Sequence, residues 1–151
     1  MRMLALTFAV AATLAGAAVA TAAVKPETAI HYRQSVYTMI GWNFGPLAHM
    51  VQGKSSWDAA QFAKHAERIA FLAPQLLEGF PPGSDKGADT EAKPGIWQNM
   101  DDFKSKMDEL VKQSRALADI AKGGDEAKMK EQFKQTAGAC KSCHDKYRNE
   151  E

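Results

Sequence analysis

DEAKMKEQFKQTAGACKSCHDKYRNE, residues 125–150, decides the fold. Asp125 can cap a helix, and Met129, Phe133, Thr136, Cys140, Cys143 and Tyr147 then recur every three or four residues along one face. The chain's only two cysteines lie on that face, and His144 follows directly. Three chemistries use a Cys-x-x-Cys pair. A redox dithiol belongs at a helix N-terminus, usually beside a strand, where the dipole lowers a thiol pKa; this pair lies near the far end of its helix. A structural zinc site needs a second ligand pair, and His31, His49 and His65 form none. Covalent haem attachment reads Cys-x-x-Cys-His. Residues three apart share a helix face, so both thiols can reach one porphyrin edge while His144 turns toward the iron as proximal ligand. A bare disulfide is the bland alternative. The expectation is one covalent haem c per chain, held by Cys140 and Cys143, with His144 on the metal.

Upstream, three more segments carry the helical period. KPETAIHYRQSVYTMIGWNFGPLAHMVQG opens with Pro26 and Glu27, suited to a first turn, and repeats Ile30, Tyr37, Ile40, Phe44, Leu47 and Val51 before Gly53. Gly45-Pro46 predicts a kink rather than an end, because the period resumes beyond it. SSWDAAQFAKHAERIAFLAPQLLEGF offers Ser55 and Ser56 as caps and a face of Phe62, Ala66, Ile69, Ala73 and Leu76. IWQNMDDFKSKMDELVKQSRALADIAKGG repeats Ile96, Met100, Phe103, Met107, Leu110, Leu117 and Ala121 and stops at Gly123-Gly124. Between them PPGSDKGADTEAKPG is a long aperiodic loop of the kind that often covers something. No run alternates with period two. Four amphipathic helices with mostly short connections predict an all-α, antiparallel four-helix bundle.

The N-terminus reads differently. MRMLALTFAVAATLAGAAVATAA carries Arg2, an uncharged apolar run and small residues fitting small-x-small cleavage. The expectation is a signal peptide over residues 1–22, cleaved near Ala20 to Ala23, and a bundle over 23–151 that works in the periplasm without membrane insertion. Lys plus Arg is 19 and Asp plus Glu 18, so no basic stripe suggests nucleic acid.

With a signal peptide, a helical bundle and Cys-x-x-Cys-His near its C-terminus, the chain resembles the cytochrome c′ family. KPETAIHYRQS, PPG…KPGIW and GACKSCHDKYR carry the resemblance. It implies a homodimer whose five-coordinate, high-spin haem binds small gases such as nitric oxide and carbon monoxide. By the same resemblance Arg33 and Gln34 touch the haem edge and propionates, Glu91 is a further contact, and Arg148 stands beside the proximal imidazole. The plainer reading of Arg33 is a solvated surface arginine, and of Arg148 a charge complementing the helix dipole.

The sixth iron position separates gas binding from simple electron transfer. Low-spin relatives place a methionine four residues after the arginine, where this chain has Tyr37. A neutral phenol ligates iron poorly, so Tyr37 is expected as a bulky distal cover. Met39 points roughly 200° round the helix from Tyr37 and is expected elsewhere, in the bundle or at a dimer contact. Phe103 is expected against the porphyrin or in ordinary core, and His49 and His65 on the surface. The reading is a haem protein that binds small gases, passes electrons to an unknown partner, or both; the alternative is a six-coordinate, low-spin electron carrier. With no distal histidine or carboxylate on Tyr37's face, no enzyme activity is expected.

Overall fold

A computed structural model describes residues 24–149. The expected signal peptide lies outside them. Five helices follow in order: α1 Pro26–Val51, α2 Ala59–Leu72, the single turn α3 Gly95–Gln98, α4 Met100–Ala121 and α5 Glu126–Tyr147. Among the described residues there is no strand, only an isolated bridge between Ala92 and Arg148, and no helix is long and apolar enough to cross a membrane. The four long helices form the expected bundle.

α1 begins with Pro26, which needs no N–H partner there, and runs unbroken through Pro46. The missing bond at Pro46 falls opposite the Trp42 carbonyl, and Trp42 is well exposed, so water can serve it. Gly53 and Gly124 take left-handed φ of 70° where α1 and α4 give way to turns. Asp58 caps α2 by accepting from the Gln61 amide at 3.0 Å, in place of the expected Ser55 or Ser56. The second segment is not one helix: at Ala73-Pro74 it tightens into a 3-10 stretch, Ala73–Gly79, since Pro74 cannot donate to the α-helical ladder. The third is likewise broken at Asn99 (φ −134°) between α3 and α4. Asp125 caps α5 as expected, accepting from the Lys128 amide at 3.1 Å.

Phe62, Ala66, Ile69 and Leu72 of α2, Phe103, Met107, Leu110 and Leu117 of α4, and Met129 and Phe133 of α5 bury into one core with α1's Ile30, Val36, Ile40 and Leu47. Each fully buried side chain of this size stabilises by roughly 1.5–3 kcal/mol relative to exposure. α1 packs on α2, α2 on α4 and α4 on α5, whereas α1 and α5 meet only sparsely. That seam is where the functional residues gather.

Candidate haem site

One end of the α1–α5 seam is shut by aromatic rings. Phe44 of α1 stacks on Phe133 of α5 with centroids 4.7 Å apart, and Phe133 also meets Phe62 edge-on at 6.4 Å. The helices run antiparallel. Seven residues back along α1 and seven forward along α5, about 10 Å in each case, bring Tyr37 level with Cys140. Four more residues bring Arg33 level with His144.

The side chains of Cys140 and Cys143 are half-buried against the core. Burial, and secondarily the neighbouring Cys143, push the Cys140 thiol up to about 11. Burial also raises Cys143, with Lys106 opposing. A redox dithiol needs a depressed thiol pKa, and burial here pushes the other way. Partial burial and then the Arg148 guanidinium hold the His144 imidazole below the usual histidine range, with Asp145 and Glu91 opposing. His144 is exposed as a whole. Desolvation first and the Arg148 charge second favour the neutral ring, the form in which an imidazole can ligate a metal.

On α1, Tyr37 packs half-buried against the core. Burial leads in raising its hydroxyl well above the usual tyrosine range; Cys143 and Cys140 push the same way, while Arg33 and Arg148 oppose. Cys140, Cys143 and Arg148 among these place the ring beside the α5 motif. Met39 lies away from it, 45% exposed beside Trp42 (76%) and Phe71 (73%). Those three, with Thr38, Asn43, Arg68 and Leu72, line a groove of about 410 Å³ between α1 and α2 that shares no residue with the Cys-x-x-Cys-His motif. His49 is exposed as expected, but His65 is half-buried, its Nδ1 2.9 Å from the Asn43 side-chain oxygen.

Arg33 is not a surface arginine: it is 2% exposed. Its Nη1 donates to the carbonyls of Gly79 and Ser84, each at 3.0 Å, and to Ser84 Oγ at 3.2 Å; Nη2 donates to Thr90 Oγ1 at 2.9 Å. The guanidinium lies over the Phe80 ring at 4.8 Å and the Trp97 ring at 5.4 Å. Gln34 donates to the Asp89 carbonyl at 3.0 Å. Glu91 pairs with Arg148 Nε, and the Asn149 amide donates to the Glu91 carbonyl at 2.8 Å. Thr90, unremarked in the sequence, thus joins the cluster; the Thr-Glu pair in the loop was its only signal. Phe103 is buried between Phe80 (4.7 Å) and Tyr147 (5.4 Å), which is the ordinary-core environment.

Haem fits these residues better than a bare metal ion does. Two thiols and an imidazole stand within five positions of one helix end, beside a seam where α1 and α5 meet only sparsely, and among the described residues no three His, Cys, Asp or Glu side chains gather around a point. The family profile described as Cytochrome C′ matches residues 28–148. The chain belongs to the cytochrome c′ family. It is 42% identical over 124 residues to cytochrome c′ of Rubrivivax gelatinosus, covering 82% of this chain and 96% of that one. The crystal structure of that relative superposes with a TM-score of 0.80 over 83% of this chain and 98% of its own. A nitric oxide complex of a variant cytochrome c prime from Alcaligenes xylosoxidans is 34% identical and superposes at 0.77, over 84% of this chain and 98% of that one. A cytochrome c′ with an unusual ligand-controlled dimer dissociation, also 34% identical, superposes at 0.79 over 85% and 100%. The cofactor of cytochrome c′ is covalent haem c, and Cys140 and Cys143 are consistent with the Cys-x-x-Cys-His motif for its attachment.

Proposed function

We propose that this cytochrome c′ is an exported haem protein whose iron binds small diatomic gases, nitric oxide and carbon monoxide, and also passes electrons. Cys140 and Cys143 would hold haem c by thioethers, His144 would supply the axial nitrogen, and Gln34, Arg33, Glu91 and Arg148 would border the porphyrin. Bound there, haem would supply an iron able to take a diatomic ligand and a one-electron couple. The observation that carries this reading is Tyr37. It stands level with Cys140 on the opposing helix, where a methionine or histidine would be needed for a second protein ligand. Burial keeps its phenol protonated at neutral pH, which opposes ligation as phenolate. Its ring crowds the site, so a ligand must displace it, a cost that disfavours larger anions.

The nitric oxide complex of the Alcaligenes xylosoxidans relative supports the choice of ligand. Export is supported by the N-terminal 22 residues, and non-enzymatic function by the lack of an acid–base group beside Tyr37 in the sequence. The homodimer is supported by Met39, Trp42 and Phe71, which leave an apolar face on α1 and α2, away from the seam. α1 carries both Tyr37 and this face, so displacing Tyr37 would weaken the dimer by linkage.

The test is the absorption spectrum of the haem-loaded protein, reduced with dithionite, before and after carbon monoxide. A broad high-spin band that sharpens with the gas is expected; sharp bands that ignore it would replace gas binding with the six-coordinate carrier. Sedimentation with and without carbon monoxide reads the dimer, and an unchanged mass would sink the linkage.

A further inference from the structure

The seam between α1 and α5 has a second fastening, made by the loop rather than by the helices. Residues 80–94 leave the 3-10 stretch at Phe80 and cross the end of the bundle. On the way they bond first to α1 and then to α5. Arg33 gathers Gly79, Ser84 and Thr90, and Gln34 takes the Asp89 carbonyl. Ser84 is fully buried, and its hydroxyl and amide both donate to the Pro81 carbonyl, which also accepts from Trp97 Nε1 at 3.0 Å. Gly79 has to be glycine for this approach, since a Cβ there would sit 2.5 Å from Arg33 Cβ. Past Thr90 the loop turns to α5. Glu91 pairs with Arg148, Ala92 and Arg148 form the antiparallel bridge, and the Lys93 amide donates to the Tyr147 carbonyl at 2.9 Å. Thr90 Oγ1 joins the two halves, accepting from Arg33 and from the Ala92 amide at 3.2 Å.

We propose that residues 80–94 are a strap that sets the spacing of α1 and α5 at the haem end of their seam, with Arg33 and Thr90 as its positioning residues. A buried guanidinium fastened at several points and flanked by two rings is a stiff anchor, because removing any acceptor leaves a buried donor unmet. The strap's far end reaches Arg148, four residues beyond His144, so the position of Arg33 on α1 is tied to the backbone that carries the iron's ligand. The strap holds Tyr37 and His144 at a fixed separation, and its loosening changes how both face the iron. This inference rests on the seam being the haem seat.

The experiment compares haem-loaded wild-type protein with Thr90→Val and Arg33→Gln, by tryptic cleavage after the exposed Lys86 and by ferric absorption and electron paramagnetic resonance across pH. Thr90→Val keeps volume and removes one half-buried acceptor that serves both Arg33 and the Ala92 amide, so it preserves a folded variant should Arg33→Gln not fold. Cleavage at least about tenfold faster is expected, the scale set by losing the hydrogen bond to the charged Arg33. A shifted, more heterogeneous ferric signal and an altered pH profile should accompany it. Unchanged cleavage overturns the strap, and faster cleavage with an identical ferric signal overturns its positioning role. A wild-type chain that takes up no haem overturns the functional reading together with this inference, whereas haem uptake with unchanged cleavage overturns the inference alone.

Discussion

The two ends of the α1–α5 seam are built from different materials. At one end Phe44, Phe133 and Phe62 close it by dry ring packing. At the other, the described residues place two thiols, an imidazole, a tyrosine and a polar strap, along a seam where α1 and α5 meet only sparsely over their whole length. The first end is stabilised by its own burial. The second is held at a distance by hydrogen bonds, which specify geometry more than they add stability. A bundle that zipped shut along its whole length would be tighter and would have no room for a planar group.

That contrast can be broken from either side. Replacing both Cys140 and Cys143 by alanine should abolish covalent haem, read as loss of haem staining on a denaturing gel, while far-UV circular dichroism keeps the helical signal. A collapse of helicity would mean that the haem end, too, is ordinary core. Phe133→Ala at the dry end should cost about 3–5 kcal/mol in urea unfolding, because the cavity left between Phe44 and Phe62 cannot refill. Tyr37→Phe at the haem end should stay within about 1 kcal/mol of wild type, since its ring is kept and only the hydroxyl lost. Equal costs for the two variants would erase the distinction.

The smallest effect concerns the exposed edge. Tyr147 donates to Asp102 at 2.5 Å and Lys146 pairs with it at 2.9 Å. Those hydrogen bonds, Tyr147 foremost, hold the Asp102 carboxyl below its ordinary value of 3.8. A depressed folded-state pKa stabilises above the unfolded value and is lost as pH falls through the folded one. Asp102→Asn should therefore lower Tm slightly at neutral pH, and the difference should fade in strong acid. A difference that grows on acidification would reverse the sign.

Much of this was legible in the chain itself. The period of Phe62, Ala66, Ile69 and Leu76, or of Met107, Leu110 and Leu117, is a local property, and every one of these residues is buried. The haem motif is local as well, three residues within five positions of one helix. Arg33 was harder to read. Its acceptors, the Gly79 and Ser84 carbonyls and the hydroxyls of Ser84 and Thr90, lie 46 to 57 residues away, so its burial follows from tertiary structure alone. His65 was misjudged for the same reason, its partner Asn43 standing 22 residues off on another helix. The breaks at Pro74 and Asn99 were hidden by an apolar period that carries on across them.

If Tyr37 stands where a second ligand would reach the iron, the ferrous absorption spectrum of Tyr37→Met beside wild type will show it. Sharp low-spin bands indifferent to carbon monoxide are expected in the variant, and a broad band that sharpens with the gas in wild type. A variant that still responds like wild type would put Tyr37 elsewhere, and a low-spin wild type would mean that another side chain already holds the sixth position.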